Sequence, residues 1–564
     1  MRRLWLIASG TLLLVLLGAP FIPSHVVAAQ GGSTASPALR GGPWGMVKTS
    51  AGVAVDGLMV QLISKASSIR TTVYTDEVGR FEFPPLAAGE YALRIPRPLE
   101  FHPYVKEGVR INGAARIDDI VVQRITESEF LPPLPELLPQ LTAAEWMANM
   151  PGTAQEKRLF LRGCSIGCHS LDYPFRVKHD AASWRKLLNR MIYYQGRMAI
   201  GFRKDPVRPT YLHTHEEAEI VINWIARIRG LDSEIPPIKP FQRPTGPSTR
   251  AVVTEYDLPW APTRVHDVAG DADGQIWFTI NRSPFVGKLD PQTGTVVSFR
   301  IPNGKGTPLH PEPDVNIEPG LHWLDIDRKT GAVWFSYNWA GSVGRLDPKT
   351  GDVRLVHTGV SGNLGLSPDG QSVMKVNNGK ISKFDARTMF DTGKPVQEWP
   401  LKSVRGAYGN FFSADGRYFG AVGPDFVRLD LQTGELIENT SRHYMGSGRG
   451  SFDPEGNLWA GGKSSNGGIL KFDPKTGATV EYVSPTPHVN GYSAKSDKNG
   501  DIWAGMMQSG RISRFKPKTG TWIEYVLPTP HSFDFNSWID NSTTPPTYWY
   551  GDDSGYIVRI QPLE

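Results

Sequence analysis

The sequence lacks a strong charge of either sign: 61 Lys and Arg against 56 Asp and Glu leave +5 over 564 residues. Two of those positives, Arg2 and Arg3, lie in a leader-like segment, so charge gives no case for nucleic acid as a partner. Long hydrophobic runs are equally scarce. The one at residues 4–17 is shorter than the roughly 20 residues a membrane span needs, and Pro20 and Pro23 follow it. Cysteine is nearly absent, with two in the whole chain and none near residue 30, which argues against a lipid anchor. Glycine and proline (59 and 46) are instead abundant, above the average usage of about 7% and 5%. Spread along the chain, they read as many tight turns rather than disorder. The length is too great for one core, so three or four domains are expected.

The first residues read as an address. Arg2-Arg3 is a basic start, residues 4–17 an apolar run, and Val27-Ala28-Ala29 offers small residues for a cut before Gln30. Residues 1–29 are therefore expected to be a removed signal peptide. The mature protein is expected to be periplasmic or secreted, with no stable membrane insertion. Residues 30–42, rich in Gly, Ser and Pro, read as a linker.

From 43 to 125 short alternating runs dominate, such as Leu58-Met-Val-Gln-Leu-Ile. The stretch Thr72-Val-Tyr-Thr-Asp-Glu-Val-Gly-Arg-Phe-Glu-Phe predicts a hairpin about a turn at residues 76–79. This pattern, followed by Gly89-Glu-Tyr, resembles the carboxypeptidase regulatory-like (transthyretin-like) β-sandwich. The resemblance implies a structural or adhesive role without catalytic residues.

Residues 126–240 change texture. After Pro132, Pro133, Pro135 and Pro139, a helix over residues 154–162 runs into Gly163-Cys-Ser-Ile-Gly-Cys-His-Ser-Leu. A second helical pattern puts Trp184, Leu187, Leu188 and Met191 on one face. A third, over 215–229, turns Ile220, Trp224, Ile225 and Ile228 inward. Cys164 and Cys168 with His169 next in line can form two thioether links to haem and set an imidazole under its iron. Two other readings are open: a Cys164–Cys168 disulfide, whose short loop gains little from closure, and a metal site completed by His213 or His215. The order Cys-Cys-His-Ser-Leu, then Trp184, then Arg190-Met191, then a closing helix resembles class I cytochrome c domains, although those have two residues between the cysteines and this sequence has three. The resemblance implies one covalent haem c on Cys164, Cys168 and His169. Met198, in a Gly-flanked loop, and Met191 are alternative distal ligands, and His213 or His215 would give bis-histidine ligation.

From residue 252 the chain repeats. A strand ends in Lys288-Leu-Asp-Pro-Gln-Thr-Gly, Arg345-Leu-Asp-Pro-Lys-Thr-Gly, Lys471-Phe-Asp-Pro-Lys-Thr-Gly and their variants, with turns at 290, 347, 385, 430, 473, 516 and 561. Most steps are 38–45 residues, the length of a four-stranded blade. Six turns are followed by an outer strand such as Trp522-Ile-Glu-Tyr-Val. The seventh such strand, Val253-Thr-Glu-Tyr-Asp-Leu-Pro, stands at the front and is expected to close the ring and remove the open edge. The expected fold is thus mainly β: a seven-bladed β-propeller over 252–564, preceded by the transthyretin-like sandwich (43–125) and a small α-helical cytochrome c-like domain (126–240).

The strands Asp273-Gly-Gln-Ile-Trp-Phe-Thr, Thr330-Gly-Ala-Val-Trp-Phe-Ser and Asn499-Gly-Asp-Ile-Trp-Ala-Gly, with the Glu-Tyr-x-Leu-Pro strands, resemble the virginiamycin B (streptogramin) lyase family. The resemblance implies magnesium-assisted opening of a cyclic ester, with a His opening one blade and a Glu directly after Trp-Phe-Thr. Here Ile280 and Tyr337 stand at the Glu position, so catalytic candidates reduce to His266 and His322. Segments entering the inner strands also bring Asn363, Asn410, Arg449, Asn490 and Asn536 to the channel mouth, a ring suited to a polar small ligand or a partner's surface. The functional expectation is an exported haem c electron-transfer protein that exchanges electrons with a redox partner or dehydrogenase, its propeller a docking or binding platform. The alternatives are a lyase-like or quinohaemoprotein-type propeller enzyme, and a secreted binding protein whose cysteines form a disulfide.

Overall fold

The computed structural model describes residues 39–164, 170–195, 215–260, 264–281, 283–301, 320–337, 341–359, 362–440, 448–462 and 467–564. The expected signal peptide and most of the linker lie outside them.

Residues 44–122 form two sheets. One has the order β4-β1-β7, with β1 (Trp44–Thr49), β4 (Arg80–Glu82) and β7 (Ile120–Val122). The other contains β3-β2-β5-β6, with β2 (Met59–Ser64), β3 (Arg70–Tyr74), β5 (Gly89–Arg94) and β6 (Val105–Ile111). Val47, Val60, Leu62, Phe81, Phe83, Leu93 and Ile120 fill the core between them. The predicted hairpin is only half right. The turn forms, with Gly79 N–H donating to Asp76 O and Asp76 Oδ1 accepting from Arg80 N–H (both 2.8 Å). Its arms then part, β3 pairing with β2 and β4 with β1. The arms have to separate because Val73 and Phe81 both enter one core from opposite sheets.

The front strand of the repeat region, β8 (Ala251–Asp257), pairs antiparallel with Tyr556–Pro562, the last strand. On its other side it pairs with β3 (Thr72↔Val253, Arg70↔Glu255). One eight-stranded sheet thus runs from the final propeller strands into the N-terminal sheet. The closing strand would otherwise present unpaired N–H and C=O groups to solvent, and β3 caps them. Glu255, 1% exposed on that seam, accepts from Gln61 Nε2 (3.0 Å) and Thr529 Oγ1 (2.6 Å). Burial raises its pKa against the pull of Arg70 and Arg94.

The helices follow the predicted faces. α1 (Ala143–Asn149) opens with a capping box between Thr142 and Glu145. α2 (Ala154–Cys164), α3 (Ala181–Gln195) and α4 (His215–Ile228) come next, and α4 packs against both α2 and α3. Their core holds Trp146, Phe160, Phe175, Trp184, Leu188, Trp224, Ile225 and Ile228. Leu187 and Met191 are only half-buried. Leu131 and Ile238 exchange two backbone hydrogen bonds (2.7 and 2.8 Å), tying the start of this segment to its end.

Among the described residues after 250 there are seven antiparallel sheets in succession, and inner strands of neighbouring sheets pack side by side. Val265–Gly270 lies against Leu321–Ile326 and Asp534–Asp540, and Gly409–Phe412 against Gly365–Leu366 and Gly450–Phe452. Lys495–Ser496 lies between Gly450–Phe452 and Asp534–Asp540. This is a β-propeller arrangement, and side chains explain the repeat. In three sheets an Asp in the first turn accepts from the indole N–H six residues on: Trp277 to Asp271 (2.7 Å), Trp459 to Asp453 (2.8 Å) and Trp503 to Asp497 (3.0 Å). Where the turn is one residue longer, between Asp327 and Trp334, that indole has no partner among the described residues. Gly287 leaves the space that the Phe278 ring occupies from the next strand, as Gly344 does for Phe335.

Candidate functional site at the propeller axis

Because inner strands run along the axis, the residues that begin them meet at one end. His266, second in its strand, donates from Nδ1 to Asp267 Oδ1 (2.6 Å). Arg449 arrives from between the fourth and fifth sheets and donates through Nη2 to the same Oδ1 (3.0 Å). Asp267 Oδ2 accepts from Asn536 Nδ2 (2.9 Å) and Leu324 N–H (3.3 Å). Arg449 Nη2 also lies 3.4 Å from His322 Nδ1, and His322 Nε2 is 2.9 Å from the Tyr408 hydroxyl. Since a guanidinium can only donate, His322 carries its proton on Nε2 and donates to Tyr408. Tyr408 in turn bonds Tyr492. The His266 ring lies tilted 3.9 Å from His322 and stacks 4.7 Å from Phe535.

Electrostatics follow from burial: Asp267 is 0% and Arg449 1% exposed. Burial alone would raise Asp267, but Arg449 and His266 hold its pKa below the usual carboxylate range. His266 is lowered by burial despite its bond to Asp267, and His322 is pushed well down by burial, His266 and Arg449. Both imidazoles are therefore neutral near pH 7. His266, with Nδ1–H on Asp267, keeps its lone pair on Nε2, the form a general base needs. Lys375 falls to about 7 through burial and the repulsion of Arg449.

Of the seven predicted mouth residues, the structure gathers His266, Arg449 and Asn536 on Asp267, with His322 against Arg449 and His266. Asn363 and Asn410 serve the framework instead. Asn410 Nδ2 donates to Asn363 O (3.0 Å) and its Oδ1 accepts from Val376 N–H (2.9 Å). Asn490 is 1% exposed, and its Nδ2 has no partner among the described residues. Asp267 is a buried carboxylate that the sequence reading did not single out. It stands directly beside His266 in sequence, and that adjacency was the available signal. Tyr408 and Tyr492 had none, because only the ring of strands brings them in. Among the described residues no group of three or more His, Cys, Asp or Glu suits a metal ion. The Asp267 carboxylate already holds a guanidinium, so the donor set does not fit magnesium.

In the sequence-predicted haem segment, Cys164 ends α2 and packs, half-buried, against the helical core. Cys168, His169, Met198 and His213 lie outside the described residues, as does the side chain of His215. Trp184 is pinned by its indole N–H to Arg229 O (2.9 Å). The far end of the segment is fixed on the propeller. Gln508 Oε1 accepts from Leu171 N–H (3.1 Å), and Gln508 O accepts from Ala144 N–H (2.9 Å). Arg176 Nη2 lies 2.7 Å from His531 Nε2. Gln508 lies in the turn before Arg511–Lys516, and His531 precedes the inner strand Asp534–Asp540. Both stand at the end of the axis where the inner strands begin, so the helical segment and the His–Asp–Arg cluster share one side of the propeller.

Comparison with solved structures finds a streptogramin B lyase at 20% identity, covering 56% of this chain and 100% of that one, with a TM-score of 0.45. A virginiamycin B lyase from Staphylococcus aureus follows at 17% identity, 55% and 98% coverage and a TM-score of 0.43. A catalytically inactive form of that lyase with quinupristin gives the same values. No family model matches the chain, and no curated protein does. At these identities and TM-scores the likeness transfers no residue role.

Proposed function

We propose that the chain is an exported electron-transfer protein carrying one covalent haem c, with a seven-bladed, lyase-like propeller as its docking and binding platform. The observation that carries this reading is the packing of α2, which ends in Cys164, against α4. A helix leading into the Cys/His motif and packed on a closing helix is the framework a class I cytochrome c needs. Cys164 and Cys168 would hold the porphyrin, His169 the iron, and Met198 or Met191 the far side of it. The group would supply one-electron chemistry. The chain's own contribution is to exclude water with Phe160, Phe175 and Trp224 and to hold the segment on the propeller through Gln508. The sandwich, of carboxypeptidase regulatory-like type, extends the closing sheet, and the location is periplasmic or secreted. The partner is a redox protein or dehydrogenase. Expressed with haem-maturation factors, the wild type gives a c-type visible spectrum and gains the mass of one haem, and Cys168→Ala loses the covalent pigment. A colourless protein with its two cysteines joined refutes the proposal and leaves a binding protein.

The His266–Asp267 pair favours a second reading, a propeller enzyme using His266 as a general base. Ring opening of a cyclic ester that is lost in His266→Ala would establish it.

A further inference from the structure

The opposite end of the axis, where the inner strands finish, opens into a cavity of about 460 Å³. Its lining includes one acid, Asp325, and one lysine, Lys495, each recessed and half-buried, with Arg328 beside them donating through Nη1 to Gly270 O (3.0 Å). Neither Asp325 nor Lys495 forms an ion pair with any described residue. Asp325 Oδ1 accepts only from the N–H of the next residue, Ile326 (2.9 Å). The Lys495 ammonium, with three protons to donate, gives one to Gly450 O (3.2 Å). A third group lines the same space. Asn536, 7% exposed, commits Nδ2 to Asp267, and its Oδ1 is buried without a partner among the described residues.

Opposite charges facing one cavity, with Asp325 and Lys495 unpaired beside a buried acceptor that lacks a donor, are costly to hold unless something completes them. A single anion would answer Lys495 and leave Asp325 and Asn536 unmatched, and a single cation would do the reverse. We infer that this cavity binds a small zwitterion of the α-amino acid class, its carboxylate on Lys495 and its ammonium on Asp325 and the Asn536 carbonyl. The volume lies within the few hundred Å³ typical of small-molecule sites. Trp538, whose ring Arg328 covers at 5.8 Å, gives an apolar wall for a side chain. The inference is independent of the haem reading, and the cavity meets the His–Asp–Arg cluster through Asn536.

The test uses the full chain with glycine, L-alanine, L-serine and L-leucine as probes, followed by titration calorimetry and thermal midpoint. N-acetylglycine, lacking the cation, and glycinamide, lacking the anion, are the comparison ligands. At least one free amino acid should bind, with both blocked forms about ten-fold weaker or worse. Lys495→Met and Asp325→Asn should each weaken binding by a similar factor. The isosteric Asp325→Asn keeps the cavity's shape and stays informative if Lys495→Met loosens the sheet. Absence of binding by all four amino acids at about 10 mM, or equal binding by the blocked forms, overturns the inference.

Discussion

Replacing Asp267 by Asn tests whether the axial cluster is held by charge or only by shape. The side chain keeps its volume, so packing is nearly unchanged. Two things change. Arg449, 1% exposed, loses its counter-charge, and breaking a buried ion pair costs about 3–5 kcal/mol. The amide also presents N–H protons to one of two donor pairs, either His266 Nδ1 and Arg449 Nη2 or Asn536 Nδ2 and Leu324 N–H. In a domain of several hundred residues, about 2 °C per kcal/mol is the appropriate conversion, so the thermal midpoint should fall by roughly 6–10 °C. The assay is thermal unfolding followed by tryptophan fluorescence, for Asp267→Asn, Arg449→Met and the double variant. If charge dominates, the double variant is more stable than Asp267→Asn alone, because no unpaired charge remains. A single variant within about 1 kcal/mol of wild type, or strictly additive losses, would refute the argument.

Gly287→Ala should destabilise the first propeller sheet by about 1–3 kcal/mol, because its Cβ would lie 2.1 Å from the Phe278 ring. Combining it with Phe278→Leu should recover part of the loss in the same melting assay. Amino acid binding in the axial cavity should peak between about pH 6 and pH 8. Burial raises Asp325 to about 6 despite Arg328 and Lys495, with Asp267 adding to the rise. Burial and then Arg449 lower Lys495 to about 8 against Asp267, Asp325 and Asp534. Acidification through the lower value removes the anion and alkalinisation through the upper removes the cation, so calorimetry should show weaker binding on both sides. A flat profile from pH 5 to 9 would contradict those assignments.

The strand repeat, the closing strand at residue 253 and the inward face of α4 were legible in the sequence. Each is a local pattern: a recurring Asp-containing turn with an outer strand after it, alternation, or a 3.6-residue period. His266, His322 and Arg449 were legible as mouth residues for the same reason, since they open strands. What joins them was not. Asp267 gains its meaning only when Arg449, 182 residues away, folds onto it, and Tyr408 and Tyr492 meet only because the ring brings their strands together. The splitting of the predicted hairpin and the capping of β8 by β3 depend on which partner each edge finds, which no run of residues specifies. The charges of Asp325 and Lys495 acquire a shared cavity in the same way. Periodicity is set by neighbours along the chain, whereas a site is set by the closure of the ring, and closure is a property of the whole fold.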